Sequence, residues 1–300
     1  MRISYSAYAT YKQCPLQYKY SYVDRLPKKE SHHLFFGSLV HEALHYMLKD
    51  IKLRTLDDIH KFYHSKWDDR LFVEAKLKPE EWKQKGLNLI NAFHGKYDPN
   101  AQEILVTEDY FAIPLEGGHV LSGVIDRLDK IKDASGQNTL EIIDYKTGKL
   151  ESQSHIHDNI QLTFYYHAIR SRFPDMKDIR LTLYFLEPQV RRSTFRDEGH
   201  VARMKEAVYE TIAQIERQKF EPKINNLCPW CDYKEICPAY AKEQPTRRWP
   251  APDIKWQEVL LGAMKGKGRS SEGINVKAEQ SAHPAPKKRG QSNDLQGSLF

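Results

Sequence analysis

The chain has 300 residues, of which 40% are hydrophobic and 11% aromatic, enough for one large packed domain with or without appendages; no run of eighteen apolar residues is present to span a membrane. Its opening, MRISYSAYATYKQCP, lacks the apolar centre of a signal peptide, so a cytoplasmic location is expected. Net charge is +6, but Lys242 to Phe300 holds 11 Lys and Arg against 6 Asp and Glu; the preceding part is nearly balanced and would have to meet a nucleic acid through a local groove.

Residues 3–22 have the pattern of a helix capped by Ser4 and interrupted near Pro15, which follows Cys14. Residues 34–49 predict a second helix, with Ser38 as its cap. This helix contains His41-Glu42-Ala43-Leu44-His45, the H-E-x-x-H spacing with which two histidines can bind zinc and a glutamate can act as base. No third zinc ligand can be identified from the pattern. Residues 55–72 and 79–97 predict further helices, and Pro79-Glu80-Glu81 is a good helix start.

From Glu103 the period changes to two. Residues 103–115, 119–131 and 139–147 read as strands, the last two joined by turn-forming residues. Asp126 follows Val-Ile on one of them, and Asp144 follows Ile-Ile on the next. Asp144 and Lys146 share a face of their strand. If pairing brought Asp126 beside them, two carboxylates and an ammonium could bind a divalent cation and orient a water. Helix then returns at 155–172, where Gln161 and Tyr165 are four apart and so lie on one face. A strand is expected at 179–187 and a long polar helix at 196–219.

Three of the chain's four cysteines follow, Cys228, Cys231 and Cys237, spaced C-x2-C-x5-C; the fourth is Cys14. In a reducing compartment a disulfide framework is not expected, and closely spaced thiols point to a metal, with zinc the default guess for four cysteines. Beyond Tyr240 the chain is rich in Pro, Gly, Ser and Lys. Residues 241–295 are read as a basic, largely disordered linker, with a short helix or docking segment in DIKWQEVLLGAM. No Walker A motif occurs, so any helicase would be a separate chain.

Taken together, these elements resemble the PD-(D/E)XK nucleases, in their RecB-like branch with an iron–sulfur cluster, such as CRISPR-associated exonucleases and AddB-type nuclease domains. The resemblance spans residues 1–240 and rests on Cys14, on Gly37-x-x-x-His41-x-x-Leu44, on GVIDR with Asp126, on EIIDYKTG with Asp144 and Lys146, on Gln161-x-x-x-Tyr165 and on the cysteine triplet. It implies an α/β restriction-endonuclease-like core, a mixed sheet flanked by helices. Added helices and a cysteine-ligated cluster would join its N- and C-terminal parts. The helical stretch 51–97 departs from the pattern as an insertion.

By the same resemblance His41, Asp126 and Asp144 would hold Mg²⁺ or Mn²⁺, helped by the main-chain carbonyl of Tyr145. Lys146 would orient the attacking water, and Gln161 and Tyr165 would contact the substrate strand. Cys14, Cys228, Cys231 and Cys237 would ligate a [4Fe–4S] cluster, with zinc as the alternative occupant. Lys149, Arg127, Arg191 and Arg192 are candidates for steering the DNA backbone. The terminal Gln296-Gly297-Ser298-Leu299-Phe300 resembles a sliding-clamp-binding peptide, with Gln296, Leu299 and Phe300 as the contacting residues. The expected activity is a metal-dependent DNA nuclease, an exonuclease on single strands or ends, in repair, recombination or CRISPR adaptation. The alternatives are a non-catalytic iron–sulfur DNA-binding partner of a helicase–nuclease complex, and a zinc protease using His41, Glu42 and His45.

Overall fold

The computed structural model describes residues 1–49, 54–132, 135–176 and 178–243. It divides into two units, Met1–Lys234 and Glu235–Phe300. The second is described over residues 235–243, which include the short helix Pro238–Glu243.

The chain begins with a strand that periodicity over so few residues cannot reveal, β1 (Arg2–Ser4), which pairs in parallel with β3 through Ile3 and Leu121. Ser4 ends it and caps α1 (Tyr5–Gln13), its hydroxyl accepting the Ala7 N–H at 3.2 Å. Cys14 then takes an extended conformation, and Pro15 starts α2 (Pro15–Tyr18), as a proline without an N–H can. One π turn, Lys19–Val23, follows.

Helix α3 (His32–Lys49) begins two residues earlier than expected, so Ser38 lies inside it, exposed, and caps nothing. The buried face formed by Leu39, Val40, Ala43, Leu44 and Met47 sets the extent of this helix. Thr55 and Asp58 form a reciprocal cap at the start of α4 (Leu56–Lys66). The expected helix over 55–72 is broken at Trp67 and resumes only as α5 (Arg70–Glu74), before α6 (Pro79–Lys96). These helices are no appendage. Ile59, Tyr63, Phe72, Ile90 and Phe93 pack with α3 and with Ile143 and Tyr145 of the sheet in one core cluster. Each fully buried side chain of this size stabilises by roughly 1.5–3 kcal/mol.

The sheet has six strands. In chain order they are β1, β2 (Glu103–Leu115), β3 (His119–Lys132), β4 (Asn138–Lys146), β5 (Arg180–Phe185) and β6 (Val190–Thr194). β6 carries the polar run VRRST and was not anticipated; its pairing with β5, rather than an apolar pattern, makes it a strand. β2 runs antiparallel along almost the whole of β3. The opposite edge of β3 is shared. β1 pairs at Val120 to Ser122, and β4 pairs antiparallel from Arg127 to Lys132. Between them, residues 123–126 of β3 have no ladder partner on that edge. This gap, at the end of the β3–β4 ladder, is where Asp126 lies.

β4 and β5 are parallel. The crossover between them carries α7 (Gln153–Asp158) and α8 (Ile160–Arg172), two helices where periodicity predicts one. Asn159 separates them in an extended conformation and caps α8, accepting the Leu162 N–H. A last long helix, α9 (Glu198–Glu216), packs on α8 and α1. No helix among the described residues is long and apolar enough to cross a membrane.

Candidate active site

The gap in the ladder brings the acids together. At the end of the paired region the backbone N–H of Tyr145 donates to Asp126 Oδ2 at 2.9 Å, a side-chain contact where the ladder has stopped. The same oxygen lies 3.2 Å from His41 Nδ1 on α3. Gly37, one turn before His41, allows this approach: a Cβ there would lie 3.3 Å from Thr147 Oγ1, just beyond Lys146.

Asp144 is buried, and its Oδ1 accepts from both Gln161 Nε2 and the Tyr165 hydroxyl, each at 3.1 Å. Gln161 also donates to Tyr165 at 2.6 Å and accepts from Lys146 Nζ at 3.1 Å. The Asn159 cap orients α8 so that these two residues, one turn apart, both face β4. Lys146 Nζ stands 2.6 Å from Asp144 Oδ2 as a buried ion pair, so the ammonium is the partner of that oxygen. The donor set here, one imidazole and two carboxylates, suits a hard divalent cation with some tolerance for nitrogen. The same set does not converge as a ready-made site: no group of three or more His, Cys, Asp or Glu among the described residues is arranged closely enough to hold a metal.

The electrostatics agree with a site prepared for positive charge. Burial raises the pKa of Asp144, against the lowering effect of Lys146. Burial lowers that of His41, but the hydrogen bond and charge of Asp126 outweigh it, and the net direction is up. Burial likewise opposes the charge on Lys146, and Asp144 outweighs it, so the ammonium stays protonated.

Two neighbours were not foreseen from sequence. Tyr5, the first residue of α1, lies within electrostatic reach of Lys146 and Asp144. Glu108 of β2 sits opposite Asp126, between the pairs Thr107–Arg127 and Asp109–Ile125, in a left-handed conformation with φ 53°. A non-glycine residue in the left-handed region costs of order 1–3 kcal/mol. Its carboxyl is raised by partial burial and by the charge of Asp126. Glu108, His41, His45, Val124 and Asp126 line one cavity of about 370 Å³. Neither residue has a sequence signal of its own; an acid in an otherwise regular strand pattern was the only hint of Glu108.

His45 reaches the same cavity, but its Nδ1 is buried without a partner, and burial lowers its pKa. Glu42 is ion-paired with Lys66 at 3.1 Å. His41 is engaged by Asp126 rather than by His45, so the pairing seen here is that of the nuclease pattern and not of an H-E-x-x-H zinc site.

Of the four basic residues proposed to steer DNA, Arg127 is misplaced by that expectation. It is 2% exposed and forks onto Asp129 at 2.7 and 2.6 Å, because its side chain points to the face opposite Asp126. Arg191 lies on that same face and donates to buried Glu141 at 2.7 Å. Arg192 has a buried Nε with no partner. Lys149 is exposed beside a second cavity, of about 660 Å³, that Trp82, His33 and Lys85 also line.

Cys14, Cys228 and Cys231 lie in the first unit and Cys237 in the second, and none of the four is in a disulfide. Cys14 Sγ accepts the Lys223 N–H at 3.4 Å, and Cys228 Sγ accepts the Asn225 N–H at 3.3 Å. The Asn225 side chain in turn donates to Gln13 O at 3.3 Å. The segment before the triplet is therefore fastened against Cys14, across more than two hundred residues of sequence. Thiolates are the ligands that a soft metal or an iron–sulfur cluster takes. Gln296, Leu299, Phe300 and the segment DIKWQEVLLGAM lie outside the described residues.

The profile of the PD-(D/E)XK nuclease superfamily matches residues 2–238. No curated protein matches. Among solved structures, the chain is similar to a candidate exonuclease from Eubacterium rectale, at 13% identity over 87% of this chain and 93% of that one, with a TM-score of 0.48. It is also similar to a protein named SSO0001, at 16% identity over 80% of this chain and 86% of that one, with a TM-score of 0.34.

Proposed function

The chain belongs to the PD-(D/E)XK nuclease superfamily, and from that premise we propose that it is a divalent-metal-dependent deoxyribonuclease, an exonuclease acting on single-stranded DNA or DNA ends. The observation that supports the metal dependence is the placing of two carboxylates and an imidazole at one end of the β3–β4 ladder, Asp144 paired with Lys146 at 2.6 Å and Asp126 beside His41 at 3.2 Å. His41, Asp126 and Asp144, with the main-chain carbonyl of Tyr145, are the proposed ligands of Mg²⁺ or Mn²⁺. When bound, the metal supplies Lewis acidity to the scissile phosphate and lowers the pKa of the attacking water.

Lys146, kept protonated by Asp144, orients that water and offsets the negative charge that grows on the phosphate. Gln161 and Tyr165 hold the other oxygen of Asp144, so that the carboxylate cannot rotate, and present polar groups to the substrate strand. The water oxygen forms a bond to phosphorus as the P–O bond to one sugar breaks; the water gives up one proton to solvent, and the leaving oxygen takes one from solvent.

A [4Fe–4S] cluster on Cys14, Cys228, Cys231 and Cys237, with zinc as alternative occupant, is proposed as a structural staple; the N–H contacts to Cys14 and Cys228 support it. The C-terminal peptide ending in Leu299 and Phe300 is proposed to bind a sliding clamp, raising the local concentration of enzyme on DNA. A cytoplasmic location, work in repair, recombination or CRISPR adaptation, and a separate helicase belong to the same proposal. The intact set Asp126, Asp144 and Lys146 speaks against a non-catalytic binding partner.

The test uses anaerobically purified full chain and end-labelled single-stranded DNA with Mn²⁺ or Mg²⁺. Metal-dependent cleavage that is lost in Lys146→Ala establishes the nuclease. An iron-loaded wild type that binds DNA without cutting it overturns the reading in favour of a binding partner.

A further inference from the structure

The strand face that carries Asp126 continues into an uncovered apolar patch. Val124 lies two residues from Asp126, is 40% exposed, and lines the same cavity as Asp126, His41 and Glu108. Its direct cross-strand partner is Tyr110 of β2, 53% exposed. The residues on either side are treated differently by the fold. Phe111 and Ile125 are buried, and Phe111 lies so closely over Gly123 that a Cβ there would sit 2.7 Å from the ring. Tyr110 has no such role. Its side chain makes no ring contact and no hydrogen bond among the described residues.

We propose that Tyr110, seated against Val124, is a substrate-positioning residue that stacks on the unpaired base of the nucleotide adjoining the scissile phosphate. The proposal rests on the nuclease reading above. Two residues along a strand span about 6.8 Å, and a directly opposed pair adds about 5 Å sideways. Tyr110 is therefore within reach of a base whose phosphate lies over Asp126. The phenol ring tolerates any base, because every base has a π-face, and it requires that base to be out of a duplex. Tyr110 so selects for single strands or frayed ends without reading sequence. It acts through orientation of the backbone over the carboxylates.

The experiment compares wild type, Tyr110→Ala and Tyr110→Phe on single-stranded oligonucleotides that carry either a normal nucleotide or an abasic site next to the cleaved bond. Tyr110→Ala is expected to lose about tenfold in kcat/KM on the normal substrate, mostly through KM, whereas Tyr110→Phe stays close to wild type. The abasic site is expected to lower wild type by a similar factor and to add little in Tyr110→Ala, a non-additivity that a merely structural tyrosine would not produce. Equal abasic penalties in wild type and Tyr110→Ala overturn the proposal. Quenching of 2-aminopurine, scanned along the oligonucleotide, provides a readout without turnover. Quenching present in wild type and lost in Tyr110→Ala, in the absence of any cleavage, keeps the stacking and sinks the nuclease; cleavage without Tyr110-dependent quenching sinks the stacking alone.

Discussion

The main-chain N–H of Tyr145 points at the carboxylate of Asp126, 2.9 Å away, at the place where β3 and β4 cease to pair. A strand amide that would otherwise seek a carbonyl is satisfied by a side chain instead. This one bond fixes Asp126 relative to the strand that carries Asp144 and Lys146, so the distance between the two acids is set by backbone, which is stiffer than side chains.

Substitution of Lys146 by Ala should lower kcat by on the order of 10²–10³, with little change in the affinity for DNA. Rapid-quench measurement of the cleavage step, alongside anisotropy in Ca²⁺, separates these effects. An equal loss in both would place Lys146 in binding rather than chemistry.

The pH dependence of metal-free stability should carry the signature of His41. Its folded pKa is raised above the ordinary 6.5 by Asp126. The folded state therefore holds a proton that the unfolded state releases first. The stabilisation is fully present below pH 6.5 and is lost as pH rises through the folded value. In EDTA, the Tm gap between wild type and His41→Asn should narrow as pH climbs from 6 toward 9. A gap that widens would contradict the protonated pair.

The ion pair of Arg127 and Asp129 should matter to folding and not to chemistry. Both side chains are almost fully buried, 2% and 0% exposed. Asp129→Ala leaves a buried guanidinium without its carboxylate and should destabilise by about 3–5 kcal/mol. Joint replacement, Arg127→Met with Asp129→Leu, should cost less, as urea unfolding will report. Any nuclease activity that survives should be normal per folded molecule.

Loss of one of the proposed cluster ligands should lower the stability of the protein. Cys14→Ser and Cys228→Ser are expected to lose bound iron or zinc, measured by metal analysis, and to unfold at lower temperature. Full metal content in both variants would show that these thiols ligate nothing.

The chemistry-bearing residues were legible because each is tied to a local pattern. Asp144 and Lys146 share a face by the period of two, Gln161 and Tyr165 by the helical turn, and Gly37 and His41 by the same turn. The strands 103–115 and 119–131 were legible for the same reason, being long and regularly alternating. β1 and β6 were not, since three residues of RIS and the polar VRRST become strands only through their partners. Arg127 was misread because adjacency in sequence to Asp126 means the opposite face in a strand.

By itself the sequence determined the nuclease family, the long strands and helices and most of the polar residues offered to the site, because local periodicity and spacing are properties of a single segment. The tertiary structure alone decided where they meet. The interruption between β1 and β4 along one edge of β3, the entry of Glu108 opposite Asp126, the burial of Asp144, and the exposure of Tyr110 all depend on segments far apart in the chain. Pairing and desolvation are set by such neighbours, and no segment carries that information alone.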